Sequence, residues 1–225
     1  MDRLHEPTIF LVDDDDAVRQ SLALLIATYG LQVESCASAE QFLERWDPDA
    51  VGCLVLDIRM AGMSGLALQE LLQERGITMP IVFITGHGDI NACRRAFQGG
   101  AVDFLTKPVD EQALMDSIRK GISQDIRQRH AASEILHLRT RFAQLSDRER
   151  QVLELILDGL PNKLIAREIG LSTRTVESHR SRIYLKLGAN SLAQLVRSVM
   201  KLEDSGTREA APPHADAPWA AALRV

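Results

Sequence analysis

Five short β-branched runs, each separated from the next by a longer stretch with apolar residues at helical spacing, constrain the first half of this chain more than any other feature. The runs are TIFLV (8–12), LQVESC (31–36), VGCLVLD (51–57), MPIVFIT (79–85) and AVDFL (101–105), and three of them are too continuously apolar for a strand with one wet face. Between them, residues 17–29, 38–46, 65–75 and 89–98 carry the helical pattern, as Leu22, Leu25, Ile26 and Tyr29 do in the first, and a fifth helix begins after Pro108. Strict βα alternation implies right-handed crossovers. The expected fold is therefore α/β, a doubly wound parallel five-stranded sheet of the flavodoxin-like type over residues 7–122.

The texture then changes twice. From about residue 110 to 144 the helical pattern runs on with only Gly121 interrupting it, which predicts a helical linker over 123–144. Its apolar residues Ile135, Leu138, Phe142 and Leu145 repeat at spacings suited to a narrow seam, which either docks on its own domain or faces a partner. Residues 145–201 predict four short helices. Ser146 with Glu149 three residues on is a capping box opening a helix through Leu157, Pro161 opens a second ending at Gly170, Ser172 caps a third running to Leu187, and a fourth covers about Leu192 to Lys201. Such a unit is small and all-α. Residues 202–225, with APPHADAPWAAALRV, lack any period and are expected to be disordered, with no indication of where Trp219 would dock.

Composition matters mainly through its asymmetry. Apolar residues make up 45% and charged residues 25%, ordinary for a globular chain, and no apolar run approaches the length of a membrane span. A soluble, cytoplasmic protein without membrane partners is expected. Cys36, Cys53 and Cys93 are odd in number and far apart, which suits reduced, core-filling thiols. The net charge of −5 hides two unlike halves: residues 1–124 hold 10 Lys and Arg against 19 Asp and Glu, whereas residues 125–225 hold 16 against 12. Only the second half can attract nucleic acid by its field.

Chemistry concentrates at one rim of the predicted sheet. Asp13, Asp14, Asp15 and Asp16 follow the first strand and Asp57 closes the third, and in a doubly wound sheet these strand ends meet where strand order reverses. Asp15 or Asp16 is expected to cap the next helix. Asp13, Asp14 and Asp57 would repel one another without a cation, and hard oxygen ligands suit Mg²⁺ completed by phosphate oxygens. Thr85 at the end of the fourth strand and Lys107 after the fifth fall on the same rim. A carboxylate nucleophile, a metal, a hydroxyl and an ammonium are what acceptance of a phosphoryl group requires.

In order and spacing, LVDDDDAV, VLDIRMAGMSG, FITGHGD and GAVDFLTKP resemble the receiver domain of two-component response regulators, and the Thr-Gly-His-Gly-Asp wording with the attached helical unit is similar to the FixJ branch. The resemblance covers roughly residues 7–201. It implies Asp57 as phosphoacceptor, with Asp14, Asp57 and the backbone carbonyl of Arg59 as Mg²⁺ ligands and Asp13 acting largely through metal-bound water. It further implies that Thr85 and Lys107 contact the phosphoryl oxygens, that Phe104 is the switch aromatic whose rotamer follows Thr85, and that the Lys107–Pro108 bond is cis. Two departures stand out. Ala61 and Gly62 follow Met60 where the family usually has Pro, which suggests a looser loop, and Phe104 lacks a phenol hydroxyl. His87 is an incidental loop residue.

In the same way LSDRERQVLELILDGLPNKLIAREIGLSTRTVESHRSRIYLKLGA resembles the LuxR-type helix-turn-helix of FixJ and NarL regulators. Periodicity in the third helix puts Val176, Ile183 and Leu187 on a core stripe with His179 beside them, core-lining or phosphate-contacting. Arg174, Ser178, Ser181 and Leu185 project oppositely, flanked by Glu177 and Arg182. Base reading is assigned to Glu177, Ser178 and Ser181, and backbone positioning to Lys163, Thr173, Thr175, Arg180, Arg182 and Lys186.

The implied function is a phosphorylation-activated DNA-binding transcriptional regulator. A sensor histidine kinase, promoter DNA, a second copy of the chain and RNA polymerase are its partners. Arg94, Arg95, Asp103, Glu111 and Asp116 on the face around the fifth strand would form crossed ion pairs in a two-fold dimer. A non-enzymatic role is expected. The rivals are a ligand-gated LuxR-type regulator, against which the acidic rim argues, and an aspartyl-phosphate phosphohydrolase, whose Asp-x-Asp loop is not matched by Asp57-Ile58-Arg59.

Overall fold

The computed structural model describes residues 6–86 and 90–206, and its chain divides into two compact units, 1–129 and 130–225. The first contains strands β1 (Thr8–Val12), β2 (Gln32–Cys36), β3 (Gly52–Asp57), β4 (Ile81–Thr85) and β5 (Asp103–Thr106). It also contains helices α1 (Asp16–Thr28), α2 (Ala39–Arg45), α3 (Gly65–Glu74) and α4 (Ile90–Gln98). All strand pairs are parallel, in the order β2-β1-β3-β4-β5. Strand order reverses between β1 and β3, so a crevice opens at their carboxyl ends.

Alternation along the strands builds two cores at once. Phe10, Val12, Leu54, Leu56 and Phe83 point to one face and are covered by Phe42, Leu68, Leu72 and Ala96 of α2, α3 and α4. Ile9, Leu11, Cys53, Val55, Val82 and Ile84 point to the other, under Leu22 and Ile26 of α1 and Leu114, Met115 and Ile118 of helix α5 (Glu111–Ala143). The expectation of strands buried on both faces is met by β1, β3 and β4. Cys36 and Cys53 fill this core as expected, and burial pushes the Cys53 thiol up to about 12.

Helix α5 does not break at Gly121. A Cβ there would come within 2.6 Å of Cys53 Sγ, so the glycine marks where helix and β3 approach too closely for any side chain. One turn later the buried Asp125 accepts the Gly52 N–H at 2.9 Å and pairs with Arg129 at 3.0 Å. Arg129 in turn donates to the carbonyls of Pro48 (3.1 Å) and Ala50 (2.6 Å). This clamp ties α5 to the entry of β3.

Among its described residues the second unit has helices and no strand. The later part of α5 is followed by α6 (Asp147–Leu157), α7 (Asn162–Glu168), α8 (Thr173–Leu187) and α9 (Leu192–Gly206). Ser146 and Glu149 form the expected capping box, and Ser172 caps α8. Leu138, Phe142 and Leu145 are buried with Val152, Ile165, Val176, Ile183 and Leu195 in one core, so the apolar seam of α5 packs inside its own unit. Helix α9 continues past residue 201 because Leu202, three residues after Val199, extends the buried stripe. The remainder of the tail, with Trp219, and His87 lie outside the described residues. No helix among the described residues is long and apolar enough to cross a membrane.

Candidate functional site

Asp13 follows β1 directly and Asp57 is the last residue of β3, so adjacent parallel strands deliver two carboxylates to one point of the crevice. Asp13 is fully buried and Asp57 nearly so, while Asp14 stands at the exposed lip. One oxygen of each lies within 4.8 Å of the others. Asp15 is spent locally, as expected: it caps α1 by accepting from the N–H groups of Ala17 and Val18. Asp16 pairs with Arg19, whose other nitrogen donates to the Asp13 carbonyl at 2.6 Å and fixes the backbone under the cluster.

The counter-charge comes from Lys107. After β5 its N–H donates to the Thr85 carbonyl at 2.7 Å, and the Lys107–Pro108 peptide is cis, as the resemblance implied. The ammonium reaches Asp13 Oδ2 at 2.7 Å and Asp57 Oδ2 at 3.0 Å. Burial pushes the Asp57 carboxyl above its ordinary range, aided by Asp13 and only partly opposed by Lys107. Burial acts to lower the Lys107 pKa, but its two carboxylate partners outweigh that and hold it above the usual lysine value. Among the described residues Asp57 Oδ1 has one long 3.4 Å contact, from the Arg59 N–H, which leaves it acceptor capacity for a ligand.

Thr85 lies 1% exposed at the end of β4, beside the pocket. Phe104 pairs in register with Phe83 and is half-buried against the core, and a cleft of ≈ 420 Å³ beside Thr85 is lined by Met60, Ala92 and Arg95. The rim residues expected from sequence are thus brought together. In the loop after β3, Ala61 donates its N–H to Asp14 Oδ2 at 2.9 Å. Sequence reading had no signal for that bond, nor for Arg19 beneath Asp13.

On the face around β5, four of the five expected dimer residues have partners within the chain. Arg95 pairs with Glu70 at 2.7 Å, Asp103 accepts from Ser117 at 2.7 Å, Glu111 accepts from Tyr29, and Asp116 accepts from Gln112 at 3.0 Å. Arg94 makes only a 3.5 Å contact with Asn91. Helix α4 also exposes Ile90 (83%) and Phe97 (49%), which charge patterning did not single out.

Helix α8 divides as its periodicity predicts. Val176, Ile183 and Leu187 are buried, while Thr173, Arg174, Glu177, Ser178, Ser181, Arg182 and Leu185 are exposed, as is Lys163 on α7. Thr175 is half-buried, its hydroxyl 2.8 Å from the Ser172 cap, and Arg180 lies over the Tyr184 ring. Lys186 is the exception to the expected outward set. Its ammonium contacts Glu149 Oε2 at 2.7 Å and the Gln144 carbonyl at 3.0 Å, because position 186 falls on the flank facing α6. Burial of Glu149 opposes ionisation, yet Lys186 and Ser146 hold its carboxyl below the usual range.

The family profile described as response regulator receiver domain matches residues 9–119, and that described as bacterial regulatory proteins, luxR family, matches residues 143–199. Transcriptional regulatory protein FixJ of Azorhizobium caulinodans is 44% identical, with 85% of this chain and 91% of that protein covered. This chain belongs to the response regulator family. Other regulators in the family are similarly near: Nodulation protein W of Bradyrhizobium diazoefficiens is 43% identical over 84% of this chain and 83% of its own length. Response regulator protein TodT of Pseudomonas putida is 43% identical over 88% and 87%. Among solved structures, response regulator StyR shares 47% identity at a TM-score of 0.80, covering 87% of this chain and 99% of that one. Full-length FixJ from B. japonicum shares 39% at 0.54, covering 87% and 97%. As a response regulator of this type, the chain joins a phosphorylation-sensing receiver to a LuxR-type DNA-binding domain and regulates transcription.

Proposed function

We propose that Asp57 accepts a phosphoryl group from a sensor histidine kinase and that the modified chain binds promoter DNA as a dimer. The observation that carries this reading is the placement of Asp57: a nearly buried carboxylate at a strand end, 3.0 Å from an ammonium and clustered with Asp13 and Asp14. The donor set fits Mg²⁺, since three carboxylates face one lysine and all ligand atoms are hard oxygens. Asp13, Asp14, Asp57 and the Arg59 carbonyl would hold the ion. When bound it would supply charge neutralisation for the incoming phosphoryl oxygens.

The chain's own residues do the rest. Asp57 offers an oxygen to phosphorus, Lys107 stands where it can neutralise a phosphoryl oxygen, and the Thr85 hydroxyl lies on the same rim. Charge arriving at Asp57 would draw Thr85 inward and let Phe104 change its rotamer, changing the surface of α4 and β5. The exposed Ile90 and Phe97 support that surface as the dimer face, with Arg94 and Arg95 beside Asp103, Glu111 and Asp116 at its polar rim. The exposed side of α8, with Arg174, Glu177, Ser178, Ser181 and Arg182, would enter the major groove. A dimer would set two such helices about one DNA turn apart. Cytoplasmic placement and contact with RNA polymerase follow from the same reading. Gel-shift titration of promoter DNA, with and without Mg²⁺ and acetyl phosphate, tests it: affinity is expected to rise on phosphorylation in the native chain and to stay flat in Asp57→Ala. An equal rise in both would overturn the reading.

A further inference from the structure

The three rim carboxylates are not held equally. Asp13 is tied by Lys107 at Oδ2 and by the Asp15 N–H at Oδ1, 2.9 Å away, and Asp57 is tied by Lys107. Asp14 is the exposed member, and the two Lys107 contacts go to the other carboxylates. An exposed aspartate without a partner samples several rotamers, and a ligand that needs one of them must order it first. Here the partner exists, and it is backbone: the Ala61 N–H, 47 positions along the chain, donates to Asp14 Oδ2 at 2.9 Å.

The bond and the gathered ligand oxygens coexist. With Asp14 turned toward Ala61, all three carboxylates still present an oxygen within 4.8 Å of one another. A carboxylate has about four acceptor sites, so one N–H leaves the rest of Asp14 available to a cation. The loop that supplies the donor is itself fixed. Gly62 has a φ of +79°, in the left-handed region that favours glycine, with Ala61 preceding it, and the Gly65 N–H donates to the Ile58 carbonyl at 3.0 Å.

We propose that the Ala61 backbone N–H is the positioning group for divalent-cation binding at this rim, holding Asp14 in its ligand orientation before the metal arrives. The loop after β3 then sets part of the metal affinity, although none of its side chains reaches the carboxylates through this bond. The inference rests on the reading of the rim as a Mg²⁺ site.

Isothermal titration of Mg²⁺ into the full chain tests it, comparing the native protein with Ala61→Pro and Ala61→Ser. Proline lacks the N–H, whereas serine keeps the donor. Ala61→Pro is expected to bind Mg²⁺ more weakly, on the order of fivefold, while melting like the native chain in metal-free buffer, and Ala61→Ser is expected to bind as the native chain does. Should Ala61→Pro fail to fold, amide exchange decides: the Ala61 N–H is protected in the metal-free native chain and loses protection in Asp14→Ala. Native Mg²⁺ binding with equal affinity in a folded Ala61→Pro, or an Ala61 amide that Asp14→Ala leaves unchanged, would overturn the inference alone. Absence of Mg²⁺ binding by the native chain would overturn it together with the metal reading.

Discussion

The Lys107 ammonium stands 3.0 Å from Asp57 Oδ2 while also holding Asp13 at 2.7 Å, so one cation serves two carboxylates that burial would otherwise keep apart. Removing it leaves a largely buried pair of like charges. Lys107→Ala is expected to lose about 1–3 kcal/mol of stability in metal-free buffer, and to gain more thermal stability from added Mg²⁺ than the native chain does. Differential scanning calorimetry with and without Mg²⁺ measures both. Equal metal responses would argue against a shared site.

The Glu149–Lys186 pair carries a pH dependence whose sign is fixed by the depressed Glu149 pKa. A carboxyl with a lowered folded-state value stabilises fully above its unfolded value of about 4.3 and loses that contribution as pH falls through the lower folded value. At neutral pH, Glu149→Gln is expected to lower the exchange protection of α6 and α8 amides by about 1–2 kcal/mol. The difference from the native chain should shrink as the medium is acidified into that window. A difference independent of pH would show that the charge is not what matters.

The clamp at the entry of β3 predicts an unequal pair of effects. Arg129→Ala strands the buried Asp125 carboxylate and is expected to cost about 3 kcal/mol. Asp125→Asn keeps an acceptor for the Gly52 N–H and should cost about 1 kcal/mol. Exchange rates of β1 and β3 amides report on both.

Two basic residues of α8 should behave differently on DNA. Arg182 is exposed, so Arg182→Ala should weaken binding on all sequences and reduce the slope of log affinity against log salt by about 1. Lys186 is matched by Glu149 inside the domain, so Lys186→Ala should leave that slope unchanged while lowering stability. Salt titrations of DNA binding separate the two outcomes.

Much of this was legible in the sequence because short-range rules govern it. A continuous β-branched apolar run gave β1 at its observed bounds, and the Asp15, Ser146 and Ser172 side chains set helix starts that propensity alone would blur. Strand ends moved where a residue lacks a donor, as at Pro80, whose carbonyl still receives the Leu54 N–H although β4 begins at Ile81. The rim residues were readable since strand ends of a doubly wound sheet converge. Long-range polar bonds were not. Ala61 to Asp14 and Asp125 to Gly52 join positions with no periodic relation, and the donor in each case is backbone, which no residue type announces. Lys186 was assigned by charge, but a lysine on a helix flank turns to whichever acid lies within reach, here Glu149 on the neighbouring helix.

The most direct test of the account is sedimentation of the full chain with Mg²⁺ and acetyl phosphate, native against Asp57→Ala, with phosphoryl content followed by intact mass. The account predicts one added phosphoryl group and a shift to dimer in the native chain, and neither in Asp57→Ala. A native chain that gains the phosphoryl group yet stays monomeric, or an Asp57→Ala chain that dimerises under the same conditions, would contradict it.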